Sequence, residues 1–479
     1  MSTSSATGTL SLAELRDQVG ARVLGPDDAG YDEARAIMMG GSDPKPALIV
    51  RPRSDADVAR AVTLAKDTGL ALAVRSGGHS GAAHCTADGG VVIDLRDMKA
   101  VEFDVHAKTA WAEAGLTAAE FTDAAAAHGL AVGFGDTGSV GLGGITLGGG
   151  VGFLARKHGL TIDSLLAADV VTADGEVLRV NEQLHPDLFW AIRGGGGNYG
   201  VATRFQFRLH PVDQVVGGML VLPATAATVA GFLAAAEAAP EALTTIANVM
   251  NCPPFPFVPE AQHGSLVIFA FVCWAGEESP GLDAIAPFVA LAEPLANLVR
   301  PMPYPEMYPP GEDADYHPTA VARTMFVDAI GPDEAATIVE LLQASDAAMR
   351  VAQLRVLGGA VARVPADATA YAHRTARIMV NIAALYDGPA EREVRSAWVD
   401  DVTATLHQGY DGAYVNFLQD EGPERIRAAY PGATWDRLAA VKAAYDPENV
   451  FRLNQNVPPA TADGQIGQQT RRSRPVSKS

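Results

Sequence analysis

The run Arg75-Ser76-Gly77-Gly78-His79-Ser80 stops an apolar stretch, LALAV, that reads as a buried strand. Successive backbone N–H groups in a Gly-Gly turn form a concave nest for anionic oxygen, and Arg75, Ser76 and Ser80 can add charge and hydroxyl donors. The turn is therefore a candidate pyrophosphate cradle. His79 then stands on a loop beside a bound dinucleotide. An imidazole is a neutral nucleophile for much of its time near neutral pH, so it could attack an electrophilic cofactor and stay bonded to it. It could equally be a plain hydrogen-bonding loop histidine. A second glycine-dense stretch, GFGDTGSVGLGGITLGGGVG at 133–152, and a third, IRGGGGNYGV, fall among strong strand formers, so they read as places where backbone turns sharply or approaches something closely. Gly150-Val-Gly152-Phe-Leu-Ala155 matches a dinucleotide-binding fingerprint, with Asp174 beyond it. That fingerprint needs an unbroken strand immediately before it, and here the preceding residues are broken by glycine.

The elements that must position these turns are short strands with one intervening helix. ALIVRP, LALAVRSGG, GGVVIDL, ADVVTADGEVLRV and GVATRFQFRL are strand-like, and SDADVARAVTLAKDTG is a helix that Ser54 caps and Gly69 ends. From about residue 213 to 410, alanine-rich helices alternate with strands such as SLVIFAFVCWAG and RTARIMVNIAALY, which predicts a second domain with its own sheet. A further helix is predicted at SLAELRDQVGA, with Ser11 as its cap. The expected organisation is α+β in two domains: an N-terminal extension over 1–30, a cofactor domain from 31–212 and 411–459, a substrate domain over 213–410, and a disordered tail over 460–479.

At 479 residues, 48% hydrophobic and 19% charged, the chain exceeds one core. Lys and Arg number 36 against 56 acids, a net charge of −20, which disfavours nucleic acid and anionic membrane as partners. No run is long enough to span a bilayer, and the N-terminus lacks a secretory layout, so a cytoplasmic protein is expected. Cys85, Cys252 and Cys273 are scattered, which suggests buried small hydrophobes rather than disulfides or a metal site.

Taken together, RPRSDADVARAVTLAKDTGLALAVRSGGHS, DGGVVIDLRDM, GSVGLGGITLGGGVGFLARKHGLTIDSLLAADVVTADGEVLRV, HPDLFWAIRGGGGNYGVATRFQFRLHPV and VKAAYDPENVFRLNQNVPP resemble the berberine bridge enzyme-like FAD-linked oxidases, flavoproteins of the vanillyl-alcohol oxidase or p-cresol methylhydroxylase (PCMH) type. The resemblance implies a PCMH-type FAD-binding domain, and a second domain with an antiparallel sheet and flanking helices. It implies FAD joined at its 8α carbon to His79. Many members add a second link through a cysteine; Thr137 stands at that position, so attachment should be single, as in the 6-hydroxy-D-nicotine-oxidase-like branch. Thr137 and Gly138 should line the flavin, a small residue at 138 leaving oxygen a path. The resemblance further assigns Gly141, Gly144, Gly149 and Gly152 to glycines packed on the cofactor and Val201 to the adenine end. It assigns Tyr414, Asn416, Asn454 and Gln455 to the isoalloxazine.

Sugar- and alcohol-oxidising members use a tyrosine base one place after the Asn of Y-x-N, where this chain has Phe417. The resemblance thus implies an oxidase of a small amine, alcohol or secondary-metabolite intermediate, reoxidised by O2 to give H2O2. Alternatives are a carbohydrate oxidase with another base, or a flavin-binding protein without turnover. Replacement catalytic groups are expected from the second domain: Asn381 and Tyr386, with Tyr414, and with Arg377, Tyr371, His373 and Arg374 nearby.

Overall fold

The computed structural model describes Arg16, residues 22–308 and residues 317–460. The helix predicted around Ser11 and the tail beyond 460 lie outside the described residues. Strands β1 (Arg22–Leu24), β2 (Leu48–Arg51), β3 (Leu72–Arg75) and β4 (Val91–Asp94) form a four-stranded sheet in the order β1-β2-β4-β3. Residues 22–24, expected in an N-terminal extension, instead pair with β2 as its antiparallel edge. The helix Asp55–Thr68 links β2 to β3 and begins where Ser54 accepts a hydrogen bond from the Asp57 amide; Gly69 ends it at φ +68°. Both ends follow from side-chain capping and the left-handed freedom of glycine.

Strands β5 (Val101–Asp104), β6 (Thr109–Glu113), β7 (Leu130–Ala131), β8 (Leu165–Val171), β9 (Val177–Val180), β10 (Val201–Arg208) and β11 (His210–Pro211) follow. Five of them form a second sheet, β5-β6-β10-β8-β9, while β7 and β11 pair separately. Phe205 and Phe207 point inward from β10, and Phe207 meets Phe121 and Phe134 edge-on at 5.8 and 5.7 Å. Each such buried ring contributes about 1.5–3 kcal/mol. One core joins these two sheets to residues 413–457, so the C-terminal segment returns to the unit that holds the N-terminal strands.

The remaining strands are β12 (Gln214–Pro223), β13 (Leu243–Asn251), β14 (Leu266–Trp274), β15 (Ala296–Asn297), β16 (Arg300–Pro303), β17 (Ala320–Val327), β18 (Met349–Val356) and β19 (Ile378–Leu385). They make an eight-stranded sheet with the order β15-β12-β14-β13-β18-β19-β17, β16 pairing with β12. Alternation divides its side chains. Ile378, Val380, Ile382 and Ala384 of β19, with Ala352 and Leu354 of β18, pack against helices Ala226–Ala238, Pro332–Ala344 and Pro389–Leu406. Met379 and Phe326 face the other way, toward Val151, Tyr371 and Tyr414. That second face roofs the first unit.

Cys85, Cys252 and Cys273 are free and buried, as expected of small hydrophobes. Among the described residues no helix is long and apolar enough to cross a membrane. No group of three or more His, Cys, Asp or Glu is placed there to hold a metal.

Candidate active site

A cavity of about 390 Å³ opens at the carboxyl end of β3, walled by the turn after that strand, the glycine loop at 135–144, the loop at 196–202 and two C-terminal segments. Its size suits a small-molecule site. It gathers Ser76, Gly77, Gly78, His79, Ser80, Thr137, Gly141, Gly144, Val201, Tyr414, Asn416, Asn454 and Gln455 from across the sequence.

The turn is built by contact between two glycines. A Cβ on Gly77 would lie 2.2 Å from the Gly141 nitrogen, and one on Gly141 would lie 2.1 Å from the Gly77 nitrogen, so neither position admits a side chain. Gly78 then reverses the chain at φ +80°. The amides of Gly77, Gly78 and His79 donate to nothing else among the described residues, which is the condition for an anion nest. Gly144 and Gly197, both on the wall, have nothing within 4 Å of where a Cβ would project. Burial holds the His79 imidazole below its ordinary pKa, opposed by the Ser139 backbone, and so keeps it neutral.

Several expected roles are corrected. Leu72, Val74 and Ser76 face the cavity, so alternation along β3 turns Arg75 away from it. Its guanidinium is 1% exposed and donates to the carbonyls of Ala34, Ala36, Arg35 and Cys85, which makes it a clamp for those loops and not a diphosphate ligand. Ser76 Oγ donates to Ala114 O at 2.6 Å and accepts from Gly143 N, and Ser80 Oγ accepts from His84 N, so the serines brace the turn. Gly138 faces protein and not the cavity: a Cβ there would meet Ala119 at 3.0 Å and Tyr308 at 3.2 Å. Gly149 lies under Tyr414 and Tyr371, and Gly152 under the carbonyls of Phe134 and Gly135; both permit close packing of backbone beneath the cavity rather than lining it.

In the eight-stranded sheet, Tyr386 follows β19 and packs against the helix-covered core, on the far side of the sheet from the cavity. Asn381 is on the near face, between Thr324 and Gln353, but off the cavity wall; its Oδ1 and Thr324 Oγ1 are buried without partners. Tyr386 thus faces away from the cavity, and Asn381 does not line it. Arg377 pairs with Glu237 at the surface, Arg374 with Asp163 at 2.8 Å, and His373 with Tyr410 and the Ala429 carbonyl. Tyr371 stands edge-on to Tyr414, 6.1 Å away.

The C-terminal wall is braced in the same way. Tyr414 Oη accepts from Gly150 N at 2.9 Å and from Asn416 Nδ2 at 3.0 Å, and burial raises its pKa. Asn454 Nδ2 donates to Gly197 O and Phe451 O, leaving its Oδ1 buried without a partner beside the cavity. Gln455 Nε2 donates to Leu418 O and Gln419 O. Buried Lys442, which sequence reasoning passed over, ties this wall to the loop at 196–202: its ammonium donates to Asn198 O, Phe451 O and Asp446.

The profile described as "FAD binding domain" matches residues 46–181, and that described as "Berberine and berberine like" matches 413–458. The (R)-6-hydroxynicotine oxidase of Paenarthrobacter nicotinovorans is 30% identical over 457 residues, 91% of this chain and 96% of that one. An FAD-linked oxidoreductase of Dictyostelium discoideum is 30% identical over 421 residues, 86% of this chain and 89% of that one. The chain belongs to the berberine bridge enzyme-like FAD-linked oxidoreductases. A crystal structure of 6-hydroxy-D-nicotine oxidase from Arthrobacter nicotinovorans matches with a TM-score of 0.79 and 28% identity, covering 91% of this chain and 97% of that one. Chitooligosaccharide oxidase shares the fold, with a TM-score of 0.80 at 22% identity.

The cavity of this FAD-linked oxidoreductase fits its cofactor. Unpaired amides follow β3, bare glycines face the space, and the Asn454 oxygen lacks a partner. Its wall also carries His84, Asp136 and Phe417, the first two unassigned by sequence. Asp136 pairs with Arg355 of β18 at 2.6 Å, and the Phe417 ring lies 5.1 Å from that guanidinium. Two sequence signals bore on this pair. Asp136 directly precedes Thr137, and alternation sets Gln353 and Arg355 on one face of a strand.

Proposed function

We propose that the chain is an oxidase whose FAD is attached once, through His79, and that it oxidises a small amine or related secondary-metabolite intermediate and returns the electrons to O2 as H2O2. The observation that carries this is the neutral imidazole of His79 on the wall of a cavity that has Thr137, not cysteine, at the second attachment position. Bound there, FAD supplies a two-electron acceptor for a C–H bond beside nitrogen or oxygen. The amides of Gly77, Gly78 and His79 would hold its diphosphate, and the His79 ring nitrogen would bond its 8α carbon. Phe417 has no ionisable group, which disfavours the tyrosine-assisted alcohol chemistry of other members and favours a substrate that needs no strong base. The (R)-6-hydroxynicotine oxidase relative supports the amine class by its printed name.

Acid precipitation tests the attachment. Yellow that stays in the pellet, with one flavin nucleotide on the peptide containing His79, is the expected result, and H79N should move the colour to the supernatant. Colour in the wild-type supernatant would end this reading. Peroxide release against amines and alcohols then ranks the substrate classes.

A further inference from the structure

The cavity wall brings one full charge toward its contents. Burial holds the imidazoles of His79 and His84 toward their neutral forms and raises the Cys85 thiol and the phenols of Tyr414 and Tyr430. Near neutral pH all of these are uncharged. Asp136 is the one carboxylate among the described residues on the wall.

Its position is set by hydrogen bonds that run outward from Arg355, to Gln353 and Asn248 on one side and to Asp136 on the other. Asn248 Nδ2 donates to Phe269 O at 3.1 Å, and Asn248 Oδ1 accepts from Gln353 Nε2 at 2.9 Å. Gln353 Oε1 accepts from Arg355 Nε at 3.0 Å and Nη2 at 2.7 Å. Arg355 Nη1 donates to Val151 O at 3.1 Å, and Nη2 donates to Asp136 Oδ2 at 2.6 Å. Arg355 is 3% exposed, has the Phe417 ring on one side and does not line the cavity, so of the pair it is the carboxylate that borders the space. Asp136 Oδ1 has no protein partner among the described residues. A carboxylate held by a guanidinium is a well-fixed anion.

A fixed anion suits one kind of substrate: one whose reacting atom gains positive charge as hydride leaves. Resting on the flavin-oxidase reading above, the geometry points to Asp136 as the catalytic residue that receives the nitrogen of an amine substrate and stabilises its cation during oxidation. The step balances without proton transfer. The C–H bond beside nitrogen breaks, and its hydrogen leaves with both electrons to the bound flavin, which is reduced. The nitrogen lone pair forms the C=N bond, and the positive charge on nitrogen sits opposite Asp136 Oδ1. Arg355 is the positioning residue that holds the Asp136 carboxylate in place.

The test uses flavin-loaded protein and two probes that perturb flavin absorbance on binding. Benzyltrimethylammonium is a cation with no lone pair to expel a hydride, and benzyl alcohol is neutral. In D136N the Kd of the cation should rise about tenfold or more, while that of benzyl alcohol stays within about twofold. D136E should hold the cation within about threefold of wild type. Because D136N leaves Arg355 buried and unpaired, D136N/R355Q removes both charges, and it should show the same selective loss. Wild-type protein that ignores the cation, or a D136N variant that binds it as wild type does with the flavin spectrum intact, would overturn the assignment alone. Wild-type protein without bound flavin would overturn the oxidase reading, and the assignment with it.

Discussion

Tyr414 shows how far one side chain can be read from its type. Its place in the Tyr-Val-Asn-Phe run suggested contact with the isoalloxazine, and its ring does reach the cavity wall. Its oxygen, however, accepts from Gly150 N and Asn416 Nδ2, so it also satisfies the buried Gly150 amide. Tyr414→Phe leaves that amide without a partner. The expected cost is about 1–3 kcal/mol in urea unfolding, with the flavin still in the acid pellet. Arg75 teaches the opposite lesson. The motif suggested a diphosphate ligand, whereas the period of β3, legible in the same few residues, had already placed its side chain on the face away from Ser76.

The cavity's elements are held by buried ions between segments distant in sequence. Lys442, on the helix Ala433–Tyr445, joins the loop at 196–202 through Asn198 and the segment carrying Asn454 through Phe451. Burial pushes its pKa down to about 8 despite the neighbouring Asp446 carboxylate. Removing one member of a buried pair leaves the other uncompensated, so Lys442→Met should lower stability by about 3 kcal/mol or more. It should also loosen residues 451–457, measurable as faster amide exchange there than elsewhere in the same protein. The helix Asp55–Thr68, by contrast, was legible to its ends, because Ser54 and Gly69 act within a few residues of themselves. The edge strand at 22–24 was not, since three residues carry too little pattern and only pairing with β2 defines them.

At the scale of the whole molecule, acid should act through histidines trapped uncharged. His158 and His210 stack with ring centres 4.1 Å apart. Burial, with His210 and Lys157 nearby, pushes His158 down to about 3, and burial with Arg208 and Lys157 pushes His210 down to about 4. An unfolded imidazole binds its proton near pH 6.5. Between about pH 6.5 and 4 the unfolded chain therefore holds more protons than the folded one, and stability falls as pH falls through that window. His158→Phe should flatten this part of a plot of Tm against pH. Its Tm difference from wild type should be constant above about pH 7; an unchanged slope would remove this pair as the cause.

Local pattern alone determined the cofactor turn, the capped helix, the alternating strands and, through the resemblance they carry, the flavoprotein family. Each of these depends on residues close together in the chain, where propensity and periodicity act. Tertiary structure alone decided that Tyr386 faces the helices, that Gly138 is closed by Tyr308, and that Asp136 of the loop at 135–144 meets Arg355 of β18. Such contacts join segments far apart in sequence, and only the packing of one sheet over another core brings their side chains within bonding distance.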